Sequence, residues 1–527
     1  MEVLYNGIIL PDNWPPQNPT AENDEPMDVD YLKKPPEVIL VDIGRQLFVD
    51  DFLIEKTNLE KQYHMAKKYE GNPVFYPQTK WEKDEALPCS VPKSGGIWWD
   101  KDDKIFKMWY EAGWIHQMAY ATSTDGIHWE RPMLDIEKGT NKILTYPEKF
   151  KDKYCESINY IDYEYLRPDS CSVVIDHDCN PSEKYKMFFR NPGGLYHGLV
   201  MTSPDGIHWN NIKHTLKMYD RSTMFYNPFR KKWVFSIRDI WDWNNINRTR
   251  SYIEVDDIIK NTPQDDKKKV KWLSCDKFDK PNAYIGFKPQ LYNVDAIAYE
   301  SIMLGMFQIF YGPENNVSAA SGAPKITELM PMYSRDGFHW TRPCRKSIIN
   351  SSMSADSWDR GYVQSVGGVC IIMGDELWIY YSAFKGDESR VNQEKDSDNG
   401  MYSGGAVGLT KLRRDGFVSV KTENSGYLLT RKIRFKDKNY LFVNLKGTLY
   451  VEFMTADCHV LAKSKTICTD KTSVRIEFTQ DFNISDYNNE DIRLKFYLSD
   501  GDLYSFWFSK DITGKSEGYQ AAGAPLD

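Results

Sequence analysis

Ser123-Thr-Asp-Gly-Ile-His-Trp129 recurs as Ser203-Pro-Asp-Gly-Ile-His-Trp209 and as Ser334-Arg-Asp-Gly-Phe-His-Trp340, with an eroded fourth copy at Arg414-Asp-Gly-Phe417. Each full copy follows a strand-like run, such as Met118-Ala-Tyr-Ala-Thr or Gly198-Leu-Val-Met-Thr. Asp-Gly suits a tight turn, because Gly accepts positive φ and Asp can hydrogen-bond its own turn. The Trp that ends each copy is large enough to fill a gap between neighbouring sheets. A turn repeated at such intervals predicts a β-propeller, in which no blade buries its faces alone. The motif and its three histidines, His128, His208 and His339, therefore speak to architecture rather than to chemistry.

Working outward, five blades can be marked. The first runs from about Ala86 through Gly96-Ile-Trp-Trp-Asp100 and Lys104-Ile-Phe-Lys-Met-Trp-Tyr110. The second opens at Asp169, the third at Asp220, the fourth at Asp295 and the fifth near Trp358-Asp-Arg-Gly-Tyr362. From about residue 430 short alternating strands predict an antiparallel β-sandwich. The expected organisation is an irregular arm at 1–37, a propeller at 38–428, a sandwich acting as a fixed support at 429–510, and a frayed tail at 511–527. The fold class is all-β.

Composition narrows the function. Aromatic residues make up 14% of the 527, including 16 Trp and 33 Tyr, which suits stacked sheets and a sugar-binding surface. The net charge of −8 argues against nucleic acid, and no apolar stretch is long enough to span a membrane. The nine cysteines show no Cys-x-x-Cys pair and fit reduced thiols better than a disulfide framework. The first residues lack the features of a secretory leader, so a cytoplasmic location is the default, with export following if a leader was removed.

A five-bladed propeller followed by a sandwich resembles the fructan- and arabinan-cleaving glycoside hydrolases of families 32, 43 and 68. Gly95-Gly-Ile-Trp-Trp-Asp-Lys-Asp-Asp-Lys-Ile-Phe-Lys-Met-Trp-Tyr110 is similar to the first-blade hairpin of family 32, and Arg167-Pro-Asp-Ser-Cys-Ser-Val-Val-Ile-Asp176 to its second-blade strand. That family's Asn-Asp-Pro and Glu-Cys motifs have no counterpart here, so the resemblance is to a divergent branch. It implies cleavage of a glycosidic bond in an axial pocket by paired carboxylates.

The inner strands of a propeller converge on its axis, so acids at their starts are the catalytic candidates: Asp169, Asp220 and Asp295, with Asp359 beside them. By position Asp220 takes the proton donor's place and Asp169 that of the transition-state stabiliser. Asp84 and Glu85 are the nearest acids of blade one and are given the nucleophile or base role. Glu300 shares an apolar strand with Asp295, but five residues of extended chain put the two on opposite faces unless a bulge intervenes. Glu300 is either catalytic or a structural ion pair.

Arg221, Arg238, Arg250 and Arg360, with Arg248, Asp239 and Asp359 among them, form a substrate-binding set. Either they bind an acidic sugar, since a guanidinium fork suits a carboxylate, or they pair with the neighbouring aspartates. Trp114 is assigned to sugar stacking, with Trp98, Trp99, Trp109, Trp241 and Trp243 divided between that role and the core. No histidine spacing suits a catalytic metal, and no cofactor is expected, although a structural Ca²⁺ could sit at Asp176/Asp178 or Asp256/Asp257. The expected partner is a carbohydrate, and the expected state is a monomer or small homo-oligomer. A non-catalytic carbohydrate-binding propeller and a glycoside phosphorylase are the alternatives.

Overall fold

The computed structural model describes residues 2–144, 169–190, 197–242, 247–391, 399–479 and 481–526. Five antiparallel sheets surround one axis, and each strand alternates side chains between the faces of its blade. Blade one comprises Ser90–Val91, Ile97–Asp100, Ile105–Ala112, Gln117–Ser123 and Lys142–Leu144. Blade two comprises Asp169–Ile175, Tyr185–Arg190, His197–Ser203 and Asn210–Lys217, and blade three Thr223–Asn227, Lys232–Asp239, Thr249–Val255 and Val270–Leu273. Blade four is Gln290–Glu300, Ile302–Gly312 and Ile326–Ser334. Its inner strand starts five residues earlier than expected, which places Asp295 mid-strand. Blade five is Gly361–Ser365, Ile371–Met373, Glu376–Phe384 and Gly405–Arg413, and its outer strand, Lys67–Lys68, comes from the opposite end of the chain.

The repeated turn has one internal design. Ser334 Oγ accepts from Gly337 N at 2.9 Å, while Asp336 Oδ1 accepts from Phe338 N and His339 N at 2.9 and 2.8 Å. The other carboxylate oxygen meets His339 Nδ1 at 2.6 Å. The Ser123 and Ser203 copies repeat these bonds. Each turn then docks on the preceding blade. Tyr380 of blade five donates to Gly126 O at 2.8 Å, Trp109 of blade one to Gly206 O at 2.8 Å, and Trp272 of blade three to Phe338 O at 2.7 Å. A side chain at Gly206 would meet Trp109 at 2.6 Å, so glycine is needed for contact as well as for its φ of +79°. The histidines belong to the turns, as the repeat suggested.

The C-terminal module is antiparallel β-structure, as expected, but its strands are long rather than short. Tyr440–Thr455 and Ile492–Ser509 are single long strands, bent where register shifts around Lys446–Thr448. Gly447 (φ +122°) and Gly501 pack backbone to backbone at that bend, so residues that read as turns are curves within a strand. Hydrogen bonding is continuous across ten strands, and Phe506 and Phe508 enter the enclosed core while Trp507 faces away, against Arg45 and Phe442. Four of the strands are N-terminal: Ile39–Leu40, Gln46–Leu47, Ile54–Thr57 and Glu60–Tyr63. The expected boundary at residue 38 is corrected accordingly, because the sheet recruits the chain before the propeller does. In the arm, Leu4, Ile8 and Leu10 bury in that same core.

Residues 511–526 are also not frayed. Trp99 N donates to Ala522 O, Ala522 N to Cys370 O and Ile372 N to Gly523 O, at 2.8–3.0 Å, and Tyr519–Gln520 pairs with the inner strand of blade four. The C-terminal segment thus crosses the end of the axis where the inner strands finish. It bounds a cavity of about 340 Å³ lined by Trp98, His177, Tyr226, Tyr519 and, at its inner end, Ser94 and Asp295. No helix among the described residues is long and apolar enough to cross a membrane.

Candidate active site at the propeller axis

Four inner strands begin with a non-glycine residue in left-handed backbone: Lys93 (φ +45°), Ser170 (+59°), Arg221 (+60°) and Tyr362 (+49°). Such a conformation costs on the order of 1–3 kcal/mol per residue, and its concentration around one axis is characteristic of a functional centre. Register shifts accompany it at Asp169/Ser172 and Gly361/Gln364, and blade four has its own at Leu291/Asn293. Bulges re-aim side chains, and here they occur on the inner strands of blades two, four and five.

Asp295 is buried among these strands, at 4% exposure. Its Oδ2 accepts from Ser94 of blade one at 3.1 Å, from Asn293 at 2.9 Å, and from Ser365 of blade five. Burial pushes its carboxyl up, and the charges of Arg221 and Arg250 and the serine bonds only partly oppose that. Beside it, Lys93 Nζ meets Glu111 Oε2 at 2.7 Å, and Ser170 N donates to Glu111 Oε1 at 3.2 Å. Glu111 is likewise pushed up, by burial against the opposing pull of Lys93. Asp169 is held by Arg190 at 3.0 Å and by Ser170 Oγ at 3.0 Å.

Asp220 is the contrast. Its side chain is 41% exposed, with Arg238 Nε at 3.4 Å. Burial would raise its carboxyl, but the charges of Arg238, Arg248, Arg190 and Lys325 override this and hold it down to about 2. A carboxyl so placed is ionised at neutral pH, which reverses the proton-donor role expected for it. Asp295 and Glu111 are shifted the opposite way, upward, by burial.

Several expected members lie elsewhere. Glu300 ends its strand at the far side, where it binds Arg45 N at 3.0 Å, Ser516 Oγ at 2.7 Å and Arg414 at 3.3 Å. It is an ion pair joining propeller to C-terminal sheet, beside Asp415 of the eroded turn copy, which accepts from Arg45, Ser505, Asn444 and Tyr299. Asp359 is taken by Lys68 at 2.6 Å and Tyr381 at 3.0 Å, and Arg360 by Glu388 at 2.7 Å. Asp239 pairs with Lys269 at 3.3 Å and accepts from Ser251 at 2.9 Å. Arg250 is fully buried with its amino groups on the carbonyl oxygens of Arg221 and Tyr292, so it clamps backbone.

Glu85 binds His116 Nδ1 at 2.5 Å, and Asp84 pairs with Lys80. Trp114 has Tyr402 stacked at 4.1 Å and the Lys93 ammonium 3.8 Å from its ring, which leaves neither face for a sugar. Trp109 is core, Trp98 and Trp99 lie toward the far cavity, Trp241 donates to Ser251, and Trp243 falls outside the described residues.

The acids considered for Ca²⁺ have lysine partners: Asp176 with Lys186 at 2.8 Å and Asp256 with Lys232 at 2.5 Å. Asp100, Asp102 and His177 share one neighbourhood, and there Lys107 and Lys184 meet Asp100 at 2.9 Å.

Sequence reasoning missed Lys93, Glu111, Arg190 and Lys325. Lys93-Ser94 before a Gly-Gly pair, and Glu111 closing the apolar run Ile105-Phe-Lys-Met-Trp-Tyr110, were the available signals.

No family model matches this chain, and no curated protein matches it. Among solved structures it is similar to an N-acetylgalactosamine deacetylase from F. plautii (14% identity, TM-score 0.43, 68% of this chain and 96% of that one). It is also similar to an exo-β-1,3-galactanase from Phanerochaete chrysosporium (10%, 0.35, 85% and 99%) and to a thermostable family-43 glycoside hydrolase (12%, 0.39, 65% and 96%). The propeller assignment itself stands on the strand register described above.

Proposed function

We propose that the protein hydrolyses a glycosidic bond in the axial funnel. One observation carries this reading: two carboxylates that both act on the buried Arg250 are shifted in opposite directions, Asp220 down to about 2 and Asp295 up. Glycoside hydrolysis needs that division, with one carboxyl giving a proton to the leaving oxygen and an ionised one acting on the anomeric carbon or on water. In this reading Asp220 is the ionised partner and Asp295 the proton reservoir. Glu111 and Asp169, locked by Lys93 and Arg190, position the floor.

The test is a panel of glycans and aryl glycosides against wild type, Asp220→Asn and Asp295→Asn. Loss of at least about 10²-fold in kcat is expected for each variant, the usual scale for removing an acid or base. The acid limb of the wild-type profile should lie well below that of an ordinary aspartate, whose pKa is about 3.9. Arg238→Gln should move that limb upward, because one of the cations holding Asp220 down is gone. Turnover by both Asn variants at the wild-type rate would remove these roles, and a wild type inert on every glycoside would leave a binding propeller.

A further inference from the structure

The funnel holds more positive charge than its acids use. Lys93, Arg190 and Arg238 each face a carboxylate, and Arg250 is spent on backbone carbonyls. Arg221 is different. It is 2% exposed, its backbone is left-handed, and its nearest side-chain acceptor is Gln308 Oε1, 3.5 Å from one amino group. Its Nε and other amino nitrogen have no partner among the described residues. A guanidinium cannot shed its charge to relieve this, and a buried cation without a hydrogen-bonded counter-ion is among the costliest things a fold can keep.

Its position is equally specific. Arg221 belongs to blade three, yet its charge acts on Glu111 of blade one, on Tyr292 and Asp295 of blade four and on Tyr362 of blade five. By contact it joins blade two, where its N donates to Ser170 Oγ at 3.1 Å, to blade four, where its amino group reaches Gln308. Around it the funnel offers further unmet polar atoms: both amide atoms of the fully buried Gln364, and Asn293 Oδ1. Arg248 and Arg238 stand nearby, since both act on Asp220. Arg248 uses one amino group on Gln290 at 2.7 Å and has an unpartnered Nε.

We propose that Arg221, assisted by Arg238 and Arg248, binds a carboxylate carried by the sugar substrate, so that the substrate class is an acidic glycoside. The inference rests on the glycosidic reading above and deepens it. A planar carboxylate would take two parallel N–H bonds from the Arg221 fork, and the sugar's hydroxyls would meet Gln364 and Asn293. The sugar would then span from these groups to Asp220.

The experiment compares galacturonate and glucuronate with galactose and glucose as ligands of the full chain, by calorimetry and by thermal shift. It also compares aryl uronides with neutral aryl glycosides as substrates. The acidic sugars are expected to bind at least tenfold tighter than the neutral ones, and high salt should reduce that preference. Arg221→Gln should abolish the preference. The half-buried Arg248→Gln, which leaves the axis packed, should reduce it several-fold even if the Arg221 variant does not fold.

Equal binding of acidic and neutral sugars, or an unchanged preference in Arg248→Gln, overturns the proposal. Turnover that requires added inorganic phosphate also overturns it, because the cations would then serve phosphate. Cleavage of neutral glycosides that survives these substitutions defeats the inference and leaves the hydrolase reading intact. Uronate binding without cleavage of any glycoside does the reverse.

Discussion

Lys93 Nζ lies 2.7 Å from Glu111 Oε2, and neither side chain has any exposure. Blade one thus contributes an ion pair to the floor of the funnel, with the same ammonium resting on Trp114. Removing one partner leaves a buried charge uncompensated, whereas removing both leaves only a polar gap.

Lys93→Met is therefore expected to destabilise the protein by about 3–5 kcal/mol, measured by denaturant unfolding. Lys93→Met with Glu111→Gln should recover much of that loss. Glu111 adds a pH signature. Its carboxyl is higher when folded than when unfolded, so the folded state binds the extra proton. Its contribution to stability is full below the unfolded value and falls as pH rises through the folded one. A Lys93→Met variant that gains stability with rising pH would contradict this account.

Glu300→Gln separates architecture from chemistry. Glu300 binds Arg45, Arg414 and Ser516 where the propeller meets the C-terminal sheet. The variant should lose roughly 3 kcal/mol, the scale for breaking a buried pair, and keep the kcat/KM of wild type on any substrate found. A selective loss of kcat with an unchanged unfolding midpoint would return Glu300 to the funnel.

The turn copies should differ in worth. Asp336 is 3% exposed and Asp125 47%, although both make the same bonds. Asp336→Ala should cost about 2–3 kcal/mol, as charge-assisted bonds are lost in a buried place, and Asp125→Ala under about 1 kcal/mol. Burial lowers the His339 pKa, but Asp336 overrides it and raises the value. The stability from that pair is present below the unfolded histidine value, about 6.5, and is lost as pH rises through the folded one. Asp336→Asn should flatten this slope in thermal unfolding measured across neutral pH.

The repeats made the propeller legible, because Ser-x-Asp-Gly-x-His-Trp encodes both the turn and its seat on the preceding blade. Asp169 and Asp220 were legible for the same reason, since blade starts converge. What stayed hidden was long-range. Nothing around Lys67-Lys68 says that it pairs with Thr410 and Lys411, and nothing around Glu300 names Arg45 as its partner, 255 positions away. The direction in which Asp220 shifts was unreadable too, because it depends on four cations supplied by Arg190, Arg238, Arg248 and Lys325. Glu111 escaped because its strand is the second of its blade, and only the crossing of Lys93 above it makes that strand's end part of the funnel.

The pairing of Lys67–Lys68 with Gly405–Arg413, together with the C-terminal segment lying across blades one, four and five, has a consequence for how the protein is made. During synthesis the strands between residues 39 and 68 leave the ribosome well before the strands they pair with. Residues 39–63 have no sheet to join until residues 418–509 emerge, and the ring cannot close before blade five exists. Closure over so long a separation is slow, and until then a row of open strand edges is exposed. A nascent chain arrested near residue 400 should therefore engage chaperones, whereas the released chain, joined at both ends, should let go of them together.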